Sequence, residues 1–308
     1  MGRTTTRTQR THIINIHLSS NQKTAHNNND RNYYLSYFRG FIYQPEKVLN
    51  NKIYFISDAH LGSSKPRRLE KEKEDALIDF MRAIQTDAEA LYIVGDLFDF
   101  WFEYRSAISS TAARVTCELY ALVQAGVRVI YIPGNHDLWP GHYFSDQLGI
   151  ELPSDPVTVT HQDKRFYITH GDSFRTDWKF KLSRYVLKHP FSIALFRLLH
   201  PDLGNWLARR TSDYSEMRTK VGSRRTIKHA NTVYMTGAEK IINTGFDIVI
   251  CGHYHHLKKI PIQNGTLIVL GDWMRYDSYA VLENGNITLH QWKTAPEIYK
   301  DPLRDKHT

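Results

Sequence analysis

From Asn51 onward the chain predicts an α/β layered fold, and three observations carry that prediction. Short apolar runs alternate with amphipathic segments whose apolar residues recur at helical spacing. Five of the apolar runs end in a cluster of Asp, His or Asn, the place where open α/β sheets put their ligand crevices. After residue 169 the alternation stops for about 75 residues and then resumes.

The run 52–57 reads as a first strand. Between Leu69 and Gln85, the residues Leu77, Ile78, Phe80, Met81 and Ile84 fall on one helical face, and the buried-strand pattern 90–95 follows. A helix is expected from about Ser110 to Ala125, closed by Gly126, with a third strand at 128–133. Two strands are expected near 157–160 and 165–169. The segment 173–246 is helical, aromatic and basic, and 246–251 restores the strand pattern. Further strands lie around 258–262, 266–270 and 278–292, the last folded back on itself at Glu283-Asn284-Gly285-Asn286.

Residues 1–50 carry neither period, and the Asn-rich stretch 21–32 has the composition of a disordered tail, so this part is expected to be a basic N-terminal extension to a 51–308 domain. An apolar share of 41% and a charged share of 23% are those of an ordinary soluble protein, and no apolar run reaches the roughly 18–20 residues of a membrane span. Cys117 and Cys251 have apolar neighbours and no Cys-x-x-Cys spacing, which disfavours a disulfide framework or a thiolate metal site and suits a reducing cytoplasm. The net charge of +8 is unevenly spread. Residues 1–50 hold +5 and residues 173–246 hold +9, fourteen Lys and Arg against five Asp and Glu, which leaves −6 for the remainder. A nucleic-acid-binding track along the sheet ends is therefore not expected.

The strand-end clusters are Asp58-Ala59-His60, Gly95-Asp96-Leu97-Phe98-Asp99, Gly134-Asn135-His136-Asp137, His170-Gly171-Asp172 and Gly252-His253-Tyr254-His255. Carboxylate, imidazole and amide donors without thiolate suit a catalytic Mn²⁺, Fe or Zn²⁺ site more than a structural zinc site. Two divalent ions roughly 3.5–4 Å apart can activate a nucleophile and neutralise charge on a phosphoryl group undergoing in-line displacement. Turn capping by Asp and Asn would explain one such cluster, but it does not require the histidines that four of the five contain.

Asp-x-His, Gly-Asp-x-x-Asp, Gly-Asn-His-Asp, His-Gly-Asp and Gly-His-x-His, in this order from Asp58 to His255, resemble the calcineurin-like metallophosphoesterase superfamily. The resemblance implies a four-layer α/β/β/α sandwich. It also implies one ion held by Asp58, His60, Asp96 and His255 and a second by Asp96, Asn135, His170 and His253, with Asp96 bridging. Two divalent ions, Mn²⁺ first, are the cofactors so implied. His136 would meet the leaving-group or a nonbridging oxygen as a cation or general acid, with Asp137 or Asp99 orienting an imidazole.

Narrower features, Gly95 to Trp101, the interruption at 173–246, and Leu270-Gly271-Asp272-Trp273 with Ser278 to Val281, are similar to the UDP-2,3-diacylglucosamine diphosphatases of lipid A biosynthesis. That resemblance implies water attacking the α-phosphorus of a diacylated UDP-sugar to release UMP. It further implies a lipid-linked nucleotide-sugar partner, no obligate protein partner, and a cytoplasmic enzyme peripheral on the inner membrane of a Gram-negative bacterium. Many of those enzymes carry Arg where this chain has His136, which keeps a cation but not the bidentate fork.

In 173–246, Tyr185, Phe191, Leu195, Leu198 and Trp206 are punctuated by Lys181, Arg184, Arg197, Arg209 and Arg210. Such a segment could act as a lid over acyl chains while its cations meet a pyrophosphate, with Asp177, Arg209, Arg210 and Lys220 as candidate substrate contacts. Equally, its apolar face could be buried on the sandwich and its charges simply solvated. Two other functions stay open: another calcineurin-like phosphodiesterase or phosphatase with a small substrate, and a non-catalytic scaffold that binds a membrane or partner.

Overall fold

In the computed structural model, residues 51–63, 67–175, 177–208, 210 and 224–292 are described. The expected extension 1–50, Arg209 and Lys220 lie outside them. Among the described residues ten strands build two mixed five-stranded sheets. The first has the order β10-β9-β1-β2-β3, from β1 (Lys52–Ile56), β2 (Ala88–Val94), β3 (Arg128–Ile132), β9 (Ser278–Glu283) and β10 (Asn286–Gln291). The second has the order β4-β5-β6-β8-β7, from β4 (Val157–His161), β5 (Lys164–Thr169), β6 (Ile248–Cys251), β7 (Leu257–Ile262) and β8 (Gly265–Leu270). Strands β1, β2 and β3 are mutually parallel, as are β5, β6 and β8, while β9 on β1, β10 on β9, β4 on β5 and β7 on β8 pair antiparallel.

Side-chain alternation along the strands sorts the interior into layers. Phe55, Tyr92, Ile130, Phe166, Ile250 and Ile268 belong to one buried cluster to which both sheets contribute. Their strand neighbours Ile56, Leu91, Ile93 and Tyr131 point the other way, onto Leu77, Phe80 and Met81 of α1 (Arg67–Ile84) and Leu119 and Leu122 of α2 (Ala113–Gln124). Val249, Cys251, Leu267 and Val269 likewise meet Tyr234, Ala238 and Ile242 of α6 (Arg224–Ile242). The expected α/β/β/α order is thus present: helices, sheet, sheet, helix.

Between β5 and β6 run α3 (Trp178–Lys188), α4 (Pro190–Arg197), a helical stretch α5 over 201–208, and α6. Only α6 packs on the sheet. Trp178, Tyr185, Phe191, Leu195, Leu198 and Trp206 on or between the others are all more than half exposed. Among the described residues no helix is long and apolar enough to cross a membrane.

Local differences from the sequence reading have physical causes. α2 begins at Ala113 because residues 110–112 form a turn tied by Ala112 N–H to Ser109 O. β6 begins at Ile248, since Asp247 first caps the register by accepting from Arg165 N on its side chain and from Thr266 N on its carbonyl. The π-helical turn Tyr143–Gln147 had no periodic signal. Cys117, between Thr116 and Glu118, is exposed on α2, against the expected apolar surroundings, whereas Cys251 is buried; both are free. The β9–β10 hairpin turns at Asn284 and Gly285, both with positive φ, as the Asn-Gly pair requires.

Candidate metal centre

Past their last ladder residues, the loops after β1 and β2 continue side by side, His60 N donating to Asp96 O at 2.9 Å and Leu61 N to Leu97 O at 3.0 Å. This pairing brings Asp58 and Asp96, both fully buried, to neighbouring positions. Each carboxylate has one oxygen tied down. Asp58 Oδ2 accepts from His253 N at 2.9 Å and from Ser57 Oγ, and Asp96 Oδ1 accepts from His136 N at 2.9 Å. The other oxygens, Asp58 Oδ1 and Asp96 Oδ2, face imidazoles.

His60 Nε2 lies 3.7 Å from Asp58 Oδ1 and 3.7 Å from Asp96 Oδ2, and His255 Nε2 lies 3.7 Å from Asp58 Oδ1. His170 Nε2 lies 3.2 Å from Asp96 Oδ2 and 3.1 Å from Asn135 Oδ1. The opposite ring nitrogens turn outward: His60 Nδ1 to Asp99 Oδ1 at 3.4 Å, His255 Nδ1 to Asp272 Oδ2 at 3.1 Å, and His170 Nδ1 to Val94 O at 3.0 Å. A carbonyl only accepts, so His170 Nδ1 carries its hydrogen. His253 completes the cluster, with one ring nitrogen within 4.8 Å of donor atoms of Asp96 and His170.

This donor set fits divalent cations on two counts. Asp58 Oδ1 and His60 Nε2 are buried and have no hydrogen-bond partner among the described residues, although such atoms are strongly penalised when left alone. The 3.7 Å separations of His60 Nε2 and His255 Nε2 from the facing carboxylate oxygens are too long for hydrogen bonds, yet they suit ligands that each stand roughly 2.0–2.2 Å from a shared ion. The outward Nδ1 contacts match the usual support of metal-binding histidines, whose other N–H is held by a carboxylate or carbonyl.

The electrostatics show how much positive charge the cluster needs. Burial opposes ionisation of His60, but the Asp58, Asp99 and Asp96 carboxylates outweigh it and lift the ring to about 10. His170 reaches about 10 for the same reason, burial being overcome by Asp96, Asp58 and the Val94 carbonyl. Burial would raise Asp96, yet His170, His136 and His60 hold it well below the ordinary carboxylate value. His253 is pushed down to about 3 by burial and then by the charge on His170, so its ring stays neutral with a lone pair available.

Backbone conformation is part of the site. Asp58, His60, Asp96, His253 and His255 all have positive φ, between 44° and 66°. Such conformations cost about 1–3 kcal/mol each and persist where surrounding contacts impose them. Two glycines permit the approach: a Cβ on Gly134 would stand 2.2 Å from Asp96 Oδ1, and one on Gly252 would stand 1.9 Å from Ser57 Oγ.

The structure separates the remaining expected residues. His136 Nδ1 donates to Asp99 O at 2.9 Å, which leaves Nε2 as its working nitrogen, and His136 groups with His60 and Asp96. Of the two carboxylates expected to orient an imidazole, Asp99 stands beside His60 and His136. Asp137 is instead a brace for the loops: it accepts from Leu97 N at 2.8 Å, from Gly134 N at 2.6 Å and from Tyr131 Oη. Asp177, expected at the substrate, caps α3 by accepting from Phe180 N at 2.9 Å and pairs with Arg175. Arg210 lies over the Trp206 ring at 5.1 Å.

Asp272 escaped the sequence reading as a site residue. It is fully buried and orients His255 while its Oδ1 accepts from Met274 N and Arg275 N. Its Leu-Gly-Asp-Trp setting, another Asp at a strand end, was the available signal.

Comparison with known proteins gives a consistent set of matches. The pattern of the calcineurin-like phosphoesterase family matches residues 51–257. A UDP-2,3-diacylglucosamine hydrolase of Porphyromonas gingivalis is 30% identical over 262 residues, covering 78% of this chain and 97% of that protein. One from Pseudomonas savastanoi pv. phaseolicola is 30% identical over 80% of this chain and 97% of its own length. One from Haemophilus influenzae is 32% identical over 72% of this chain and 90% of its own length.

Proposed function

Because the chain belongs to the calcineurin-like phosphoesterase family, we propose that it is a metal-dependent hydrolase that cleaves the pyrophosphate of UDP-2,3-diacylglucosamine into UMP and 2,3-diacylglucosamine 1-phosphate. The observation that carries the metal chemistry is the common orientation of His60, His170 and His255, Nε2 inward toward Asp58 or Asp96 and Nδ1 anchored outward. The names of the relatives carry the substrate.

Asp58, His60, Asp96 and His255 would hold one divalent ion, and Asp96, Asn135, His170 and His253 the other, with Mn²⁺ the first candidate. Such ions supply an activated water and neutralise charge on the phosphoryl group. The chain's own residues do the rest. Asp99 O fixes the His136 ring through Nδ1, so Nε2 is the nitrogen that meets the phosphate or leaving-group oxygen. Asp137 ties the loop after β3 to the loop after β2 through Gly134 N and Leu97 N, and Asp272 holds His255.

The exposed apolar residues of α3, α4 and α5 support a lid for the acyl chains and a peripheral seat on an anionic membrane face, with Lys181 and Arg197 exposed beside them. The alternative in which this face is buried on the sandwich loses support from the same exposures. The experiment is to supply Mn²⁺ and follow UMP release from UDP-2,3-diacylglucosamine, UDP-N-acetylglucosamine and bis-p-nitrophenyl phosphate. Release from the diacylated substrate, with little from the unacylated one, supports both the reaction and the lid; turnover of the generic diester alone rejects the substrate.

A further inference from the structure

Lys73 is an ammonium where a core methylene chain would pack as well. It lies on α1, 7% exposed, and burial lowers its pKa. A buried charge of this kind is retained only with close partners, since removing it from water costs several kcal/mol. Its partners are specific: Nζ donates to His60 O at 2.7 Å and stands 3.1 Å from Glu70 Oε2. The other Glu70 oxygen accepts from Gly62 N at 2.5 Å. One turn of α1 thus grips the loop after β1 at two points, the carbonyl of His60 and the amide of Gly62. His60 has φ 44° and Gly62 φ 96°, so the gripped backbone is in the left-handed region, which for His60 is strained and needs external hold.

We infer that Glu70 and Lys73 are positioning residues for the His60 side of the metal centre. They fix where the His60 backbone stands, as Asp99 fixes how its ring turns. The inference rests on the two-ion reading above. It goes beyond that reading in assigning a role to two residues outside the strand-end motifs.

The test is calorimetric titration of the metal-free protein with Mn²⁺, comparing wild type, Lys73→Met and Glu70→Gln, with thermal unfolding of each metal-free form alongside. In both variants one binding step is expected to weaken by roughly 10–100-fold, the usual consequence of losing a residue that supports a ligand, while the other step stays as in wild type. Cooperative unfolding is expected in all three forms. Unchanged affinity in both variants overturns the inference. So does tighter binding in Lys73→Met, which would make Lys73 a charge opposing the cation, and so does equal weakening of both steps, which would make the effect a general loosening. If the wild type takes up no Mn²⁺, the two-ion reading itself fails, and that result is distinct from all of these.

Discussion

Asp96 Oδ2 lies between His60 Nε2 and His170 Nε2, so removing this carboxylate takes a donor from both halves of the cluster. Asp96→Ala is expected to lower kcat by roughly 10³-fold or more and to weaken both metal-binding steps, read by turnover and metal titration together. His136→Ala is expected to separate the two properties. Turnover should fall by about 10²–10⁴-fold, the usual share of a general acid, with metal uptake retained. At this scale the sequence was informative about identity and, beyond Asp99, said little about support. The seven expected ligand positions converge, but Lys73 and Glu70 reach the centre through the fold with nothing local to announce it, and Asp272 was marked only by its strand-end setting. Asp137 misled for the converse reason: a carboxylate within a ligand motif can brace backbone amides, and only the contacts distinguish the two tasks.

Among the elements, α3 carries the contact that ties the helices after His170 to the centre. Arg184 pairs with the fully buried Asp172, two residues beyond His170. Arg184→Met leaves that carboxylate without its partner and is expected to destabilise the protein by on the order of 3 kcal/mol, measured by denaturant unfolding. Trp139 Nε1 adds a second tie by donating to Leu187 O at 3.0 Å, while Phe196 of α4 packs on Phe100, Phe102 and Trp139. The outward face is a different matter. Phe191→Ser with Leu198→Ser, at 71% and 83% exposure, should leave stability and generic diesterase activity nearly unchanged and raise KM for the diacylated substrate several-fold. Strand and helix spans were legible because apolar period reports burial against a sheet. The same apolar residues in 173–246 could not say whether they face the protein or the solvent, since periodicity gives a face and not its occupant.

β4 contributes a pH dependence. His161 Nε2 lies 2.8 Å from Tyr92 Oη, and burial lowers its pKa below the ordinary imidazole value of about 6.5. As pH falls below that value the unfolded chain takes up the proton before the folded one, so stability is full above it and declines with acidification. His161→Gln should flatten this decline, as measured by unfolding midpoints at pH 7.5 and 5.5 with chelator present.

Over the whole molecule, the four layers exist because each inner strand is apolar on both faces, and one face of each sheet meets the other sheet while the opposite face meets helices. The continuous apolar runs made that arrangement legible. The left-handed backbone at five of the seven expected ligand positions was not, because Asp and His carry no sequence mark for positive φ comparable to glycine. The sandwich therefore supplies rigid strand ends, the strained turns aim donors from both sheets at one centre, and the helices between β5 and β6 present an apolar surface beside it. The central claim, that water attacks the α-phosphorus of UDP-2,3-diacylglucosamine at this centre, is tested most directly by hydrolysis in ¹⁸O-labelled water with mass analysis of both products. The account predicts the label in UMP and none in the sugar 1-phosphate; label in the sugar 1-phosphate, or no cleavage of this substrate in the presence of Mn²⁺, would contradict it.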